Sequence, residues 1–236
     1  MPNTASTLPF ARRILASILC GVAAVAMRSW GGHLPFALWI PVGLLAASAV
    51  LVHHRRLASQ LVARAVLWSN LILGTVIAVV VDTPERPVAL LLAGATGGAL
   101  LLIGRAGLTD DDGSFVPVAF RATLLGLMVM ALADAQSLSL FGALELENFH
   151  PARPVALEYF ALAAGLIVAI VGIYRLRVWG LVLGAFTWVA LATAALAGWL
   201  ELPTGLAAAF VATSAVQLVL AAPLFARMWT AARRTA

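Results

Sequence analysis

Eight long apolar stretches leave this chain almost no choice of fold. They run from Ile14 to Met27, Leu34 to Val52, Leu61 to Val81, Val88 to Ile103, Ala122 to Leu140, Val155 to Tyr174, Val178 to Leu200 and Leu202 to Ala226. A helix needs about 20 such residues to cross the hydrocarbon of a bilayer. Within hydrocarbon every backbone N–H and C=O must find an internal partner, which leaves helices or closed barrels. Barrel strands alternate apolar and polar residues, and these stretches do not. The fold class is therefore all-α: a polytopic transmembrane helical bundle of eight predicted spans. The composition agrees, since 63% of residues are hydrophobic, 11% are charged and the mean hydropathy is +1.02. Soluble domains carry roughly 25% charged residues.

The first span has a second reading. Arg12 and Arg13, an apolar run and the small-residue sequence Ala24, Val25, Ala26 also fit a cleavable signal peptide, in which case seven spans remain. The connections carry turn-forming and charged residues, including Gly31 and Gly32, His53 to Arg56, Thr83 to Pro87, Thr109 to Ser114, Phe141 to Pro154 and Glu201 to Pro203. None is long enough for a soluble domain, so residues 1–236 read as a single integral membrane domain.

All 15 basic residues are arginine, against 10 acidic ones, giving a net charge of +5. They fall near helix ends rather than in a patch, which argues for orientation in a bilayer and against nucleic-acid binding. With the amino terminus inside, Arg12, Arg13, Arg55, Arg56, Arg64, Arg105, Arg121, Arg175, Arg177, Arg227, Arg233 and Arg234 face the cytoplasm, and only Arg28, Arg86 and Arg153 face outward. Both termini are expected in the cytoplasm, with the chain in an inner (plasma) membrane. Trp30 and Trp199 at outer ends, with Trp179 and Trp229 at inner ends, suit interfacial belts, whereas Trp188 in mid-helix does not.

Small residues recur four apart at Gly94 and Gly98, at Ala161, Gly165 and Ala169, at Gly180 and Gly184, and at Ala190, Ala194 and Gly198. That spacing lets helix backbones approach, and reads as packing inside one bundle. A homo-oligomer or a larger membrane complex is the partner such seams allow besides the lipid bilayer itself. Arg86-Pro87-Val88-Ala89-Leu90 and Arg153-Pro154-Val155-Ala156-Leu157 open two spans with the same five residues, which in a chain this rich in Ala, Val and Leu is read as coincidence.

Motifs for chemistry are sparse. The lone Cys20 supports neither a disulfide framework nor a cysteine metal site. No phosphate-binding glycine loop or nucleophile elbow occurs. Asp110, Asp111, Asp112 and Gly113 fail the calcium-loop pattern, because Leu108 and Ala119 stand where its first and last acids belong. The four histidines lie in connections or at a helix end, outside the spans a haem would need, so no cofactor is expected. Glu145, Glu147 and His150, with Glu158, Asp82 and Glu85 in neighbouring outer positions, form the one alternative: a metal-assisted enzyme at the outer surface. Their spacing matches no known zinc motif, and an acidic outer loop is ordinarily solvated, so metal binding is not the preferred reading.

What remains is polarity inside the spans. Asn70 in the third, Asp134 in the fifth and Gln217 in the eighth lie near the bilayer centre. Asp134 stands about three residues, roughly 4 to 5 Å, outward of the midpoint of its span. An ionisable group at that depth is costly and marks a candidate substrate- or proton-binding position. The sequence thus points to a non-enzymatic membrane protein, a small-solute or proton-coupled carrier or an accessory subunit, with these three residues as its polar centre.

Overall fold

A computed structural model describes residues 10–30, 39–54, 57–80, 86–104, 118–148, 155–175 and 177–234. Within them are eight helices and no strand: α1 (Phe10–Trp30), α2 (Trp39–Leu51), α3 (Leu57–Val80), α4 (Arg86–Ile103), α5 (Val118–Asn148), α6 (Val155–Tyr174), α7 (Val178–Leu196) and α8 (Thr204–Arg234). The chain is a multi-pass helical membrane protein. Seven of the helices are long and apolar enough to span. The eighth, α2, is described over 13 residues, and the apolar stretch it belongs to begins at Leu34, outside the described residues.

The helices begin and end where backbone chemistry allows. Pro87 occupies the first turn of α4, where its missing N–H would have no partner in any case. Gly104 ends α4 at φ +56, its N–H donating to the Leu100 carbonyl, and Gly198 follows α7 at φ +72. Both positions need the left-handed conformation that glycine adopts without strain. Gly198 therefore shapes a turn; it does not extend the small-residue seam of Ala190 and Ala194. The stretch from Phe141 to Asn148, expected as loop, is helical and prolongs α5 to 31 residues. Its Leu, Ala and Glu residues are all good helix formers, and no glycine or proline interrupts them after Gly142.

The chain divides into two compact units, residues 1–125 and 126–236. In the first, α1 packs on α2 and α4, and α3 packs on α2 and α4, closing a four-membered ring. The α3–α4 seam is antiparallel: Gly74 lies against Ala89 and Ala93, Gly97 against Leu71, and the Arg64 guanidinium reaches Gly104. Gly98 meets Leu19 of α1, whereas Gly94 faces open space.

In the second unit α7 packs on α6 and α8. Gly142 and Phe141 join α5 to Tyr159 of α6, and Gly126 of α5 faces Leu220 of α8, so four helices again close a ring. Along α6 and α7 the contacts Gly172–Gly180 and Gly165–Thr187 recur seven residues apart on both helices, the repeat of a left-handed antiparallel pair. Trp188, out of place for an interfacial belt, is fully buried in this unit. The shared Arg-Pro-Val-Ala-Leu sequence opens the fourth helix of one ring and the second of the other, so it does not mark corresponding helices; its second copy begins at residues outside those described.

Candidate functional site

The second unit holds a carboxyl group in its core. Along α5 the buried positions Leu127, Ala131, Asp134 and Leu138 recur at three- and four-residue spacing, and along α8 so do Phe210, Ser214, Gln217, Ala221 and Leu224. These are the inward stripes of two packed helices. Asp134 on the first stripe is 5% exposed. Gln217 Nε2 donates to its Oδ2 at 2.6 Å, and Thr213 Oγ1 donates to its Oδ1 at 3.2 Å. Thr213 and Gln217 are one turn apart on α8, so each reaches a different carboxyl oxygen. Thr213 Oγ1 also lies 3.1 Å from the Phe210 carbonyl, so its single proton is shared between the carboxyl group and the helix behind it.

Both partners are neutral, and among the described residues no cation is paired with Asp134. Of the arginines expected on the outer side, Arg28 lies over the Trp39 ring at 5.4 Å, Arg86 is exposed at the start of α4, and Arg153 is outside the described residues. The Asp134–Gln217 pair is the part of the expected polar centre that folding brings together. Asn70 belongs to the first unit, where it is buried and its Nδ2 donates to Val66 of its own helix at 2.9 Å. Thr213 was not singled out in the sequence, although its spacing from Gln217 is the signal that could have found it.

A second polar cluster lies in the first unit. Arg64, counted from sequence as a cytoplasmic-face arginine, is 2% exposed and lies inside its span. Its Nη1 donates to the Gln60 carbonyl at 3.3 Å and to Gln60 Oε1 at 3.0 Å, and its Nη2 donates to Gly104 O at 3.3 Å. The guanidinium thus satisfies a carbonyl at the negative end of α4. Gln60 in turn donates to Val52 O and His54 O, at the end of α2. This cluster pins helix ends together. Arg64 also borders an open, largely apolar groove of about 580 Å³ lined by residues of α3, α4 and the start of α5.

The acidic residues expected on the outer side are arranged differently from expectation. Glu145 lies on the helical extension of α5 rather than in a loop, and the side chain of Glu147 is outside those described. His150, Asp82, Glu85 and Asp110 to Asp112 lie outside the described residues. Glu145, Glu158 and Glu201 lie within electrostatic reach of Tyr159, whose hydroxyl donates to the Leu200 carbonyl. Among the described residues no group of three His, Cys, Asp or Glu side chains is placed to hold a metal ion. Comparison with models of known protein families, with curated proteins and with solved structures finds no match.

Proposed function

We propose that the protein is a non-enzymatic, proton-coupled carrier of a small solute, in which Asp134 binds the proton and Gln217 and Thr213 hold it. The observation that carries this reading is a carboxyl group buried in a transmembrane helix ring and held by neutral donors alone. An aspartate at mid-span costs about 2.5 to 3.5 kcal/mol on insertion scales, so its retention calls for a role. A polar contact that merely glues helices contributes about 0.6 kcal/mol on average.

The arrangement accommodates both protonation states. Ionised, the carboxylate accepts from Gln217 Nε2 and Thr213 Oγ1. Protonated, its hydroxyl can donate to the Gln217 amide oxygen once that amide turns over, an exchange that preserves the pairing. Asn70 supplies a second polar position, in the first unit. The placement is an inner membrane with both termini cytoplasmic, supported by the excess of arginines at the helix ends and connections that fall inside in that orientation.

Asp134→Asn tests the proposal, because it keeps shape and hydrogen bonding while removing the proton and the charge. The variant is expected to fold with near-normal stability, to lose proton uptake by the purified protein after a pH jump, and to fail to complement a deletion strain. A variant that folds, takes up protons as wild type does and complements fully refutes the reading and leaves a structural role in a membrane complex.

A further inference from the structure

The core around Asp134 contains polar atoms that the protein itself does not satisfy. Trp188 Nε1, Ser214 Oγ and Gln217 Oε1 are buried without a hydrogen-bond partner among the described residues, and all three residues have no exposed surface. Buried polar groups are almost always paired, so three orphans in one four-helix ring require an explanation.

Their placement supplies one. Leu181 and Ala185 of α7 line the same furrow as Ala222 and Leu218 of α8, with the helices antiparallel. Carried three residues further along α7, that register brings Trp188 to the level of Ala215, next in sequence to Ser214. Its ring folds back over Gly184, 3.1 Å from where a Cβ would sit there, and so extends toward the level of Gln217. Ser214 and Gln217 share the inward stripe of α8. The three atoms also complement one another chemically: an indole N–H can only donate, an amide oxygen can only accept, and a hydroxyl does both.

We propose that the core of the second unit binds ordered water, which accepts from Trp188 Nε1, donates to Gln217 Oε1 and pairs with Ser214 Oγ. Buried water typically makes about three such bonds. Water suits this position better than any fixed protein group, because it both donates and accepts. When the Gln217 amide turns over to follow the protonation of Asp134, the atom it presents to the core changes from acceptor to donor, and the water reverses its role without moving. The site rests on the proton-binding reading of Asp134 for its purpose, but not for its existence.

Infrared difference spectroscopy on the purified full-length protein, comparing ordinary with heavy-oxygen water, reads the O–H stretch of ordered water directly. Wild type is expected to show a sharp, isotope-sensitive band that shifts in Ser214→Ala and is lost in Trp188→Phe, with the indole N–H band of Trp188 shifting in Ser214→Ala as well. Ser214→Ala removes a single oxygen and keeps the test decisive if the tryptophan variant does not fold. Absence of the band in wild type, or a band unchanged in Ser214→Ala, overturns the water site. If Asp134→Asn leaves proton uptake intact while the water band responds as expected, the carrier reading fails and the water site stands.

Discussion

Gly180 is the position at which the smallest substitution should do the greatest damage. A Cβ there would collide with the carbonyl carbon and Cα of Gly172 and with the Ile173 nitrogen, closer than real Cβ contacts occur. Every one of these atoms is backbone, so no side chain can rotate away and α6 must separate from α7. Forcing one methylene into a core that can adjust costs about 1 to 3 kcal/mol. Here the neighbours cannot adjust, and a loss of about 3 kcal/mol or more is expected, a shift of more than a hundredfold in the unfolding equilibrium at about 1.4 kcal/mol per decade. Gly94 is the control. A Cβ there meets nothing within 4 Å, and Gly→Ala inside a helix favours folding by about 0.8 to 1.0 kcal/mol. Gly184→Ala should fall between them, since its Cβ would press on the Trp188 ring at 3.1 Å rather than on backbone. Unfolding the purified variants in mixed detergent and denaturant, followed by tryptophan fluorescence, gives the order directly. If Gly180→Ala lies within about 0.5 kcal/mol of wild type, the close α6–α7 approach is wrong.

Asp134→Leu should lower stability by about 1 to 3 kcal/mol, because it strands the buried Gln217 amide, while Asp134→Asn should not; parallel thermal melts check the pair. Arg64→Met should cost a similar amount, about 1 to 3 kcal/mol, by leaving the Gly104 carbonyl and Gln60 Oε1 without their donor, and hydrogen exchange at the end of α4 should quicken. A cysteine introduced at Asp111 should resist a membrane-impermeant reagent added outside intact cells, and a periplasm-active reporter fused to the carboxyl terminus should stay silent. The native Cys20 is buried in the first unit and should contribute little background to the labelling.

The existence and order of the helices were legible in the sequence because hydrocarbon imposes a single local rule: each apolar stretch must satisfy its own backbone. That rule is indifferent to what surrounds the stretch, so eight stretches became eight helices with boundaries displaced by a few residues. It has no hold past the hydrocarbon edge, which is why the run from Phe141 to Asn148 was expected as loop and is helix; there only propensity acts, and it favours Leu, Ala and Glu. The depth of Asp134 and Gln217 could also be counted along the chain. Their meeting could not, because it depends on α5 lying against α8 and on both residues falling on facing stripes, a matter of rotation about two axes that spacing within one helix does not set. The same limit hid Thr213, a residue of ordinary type until its neighbour across the seam is known, and it misplaced Arg64, whose position near a helix end says nothing about which side of α3 meets α4. Sequence determined how many helices there are and where along each helix a polar residue stands. Packing alone decided which of those residues share an interior, because side-chain partners are chosen between helices while the bilayer constrains each helix singly.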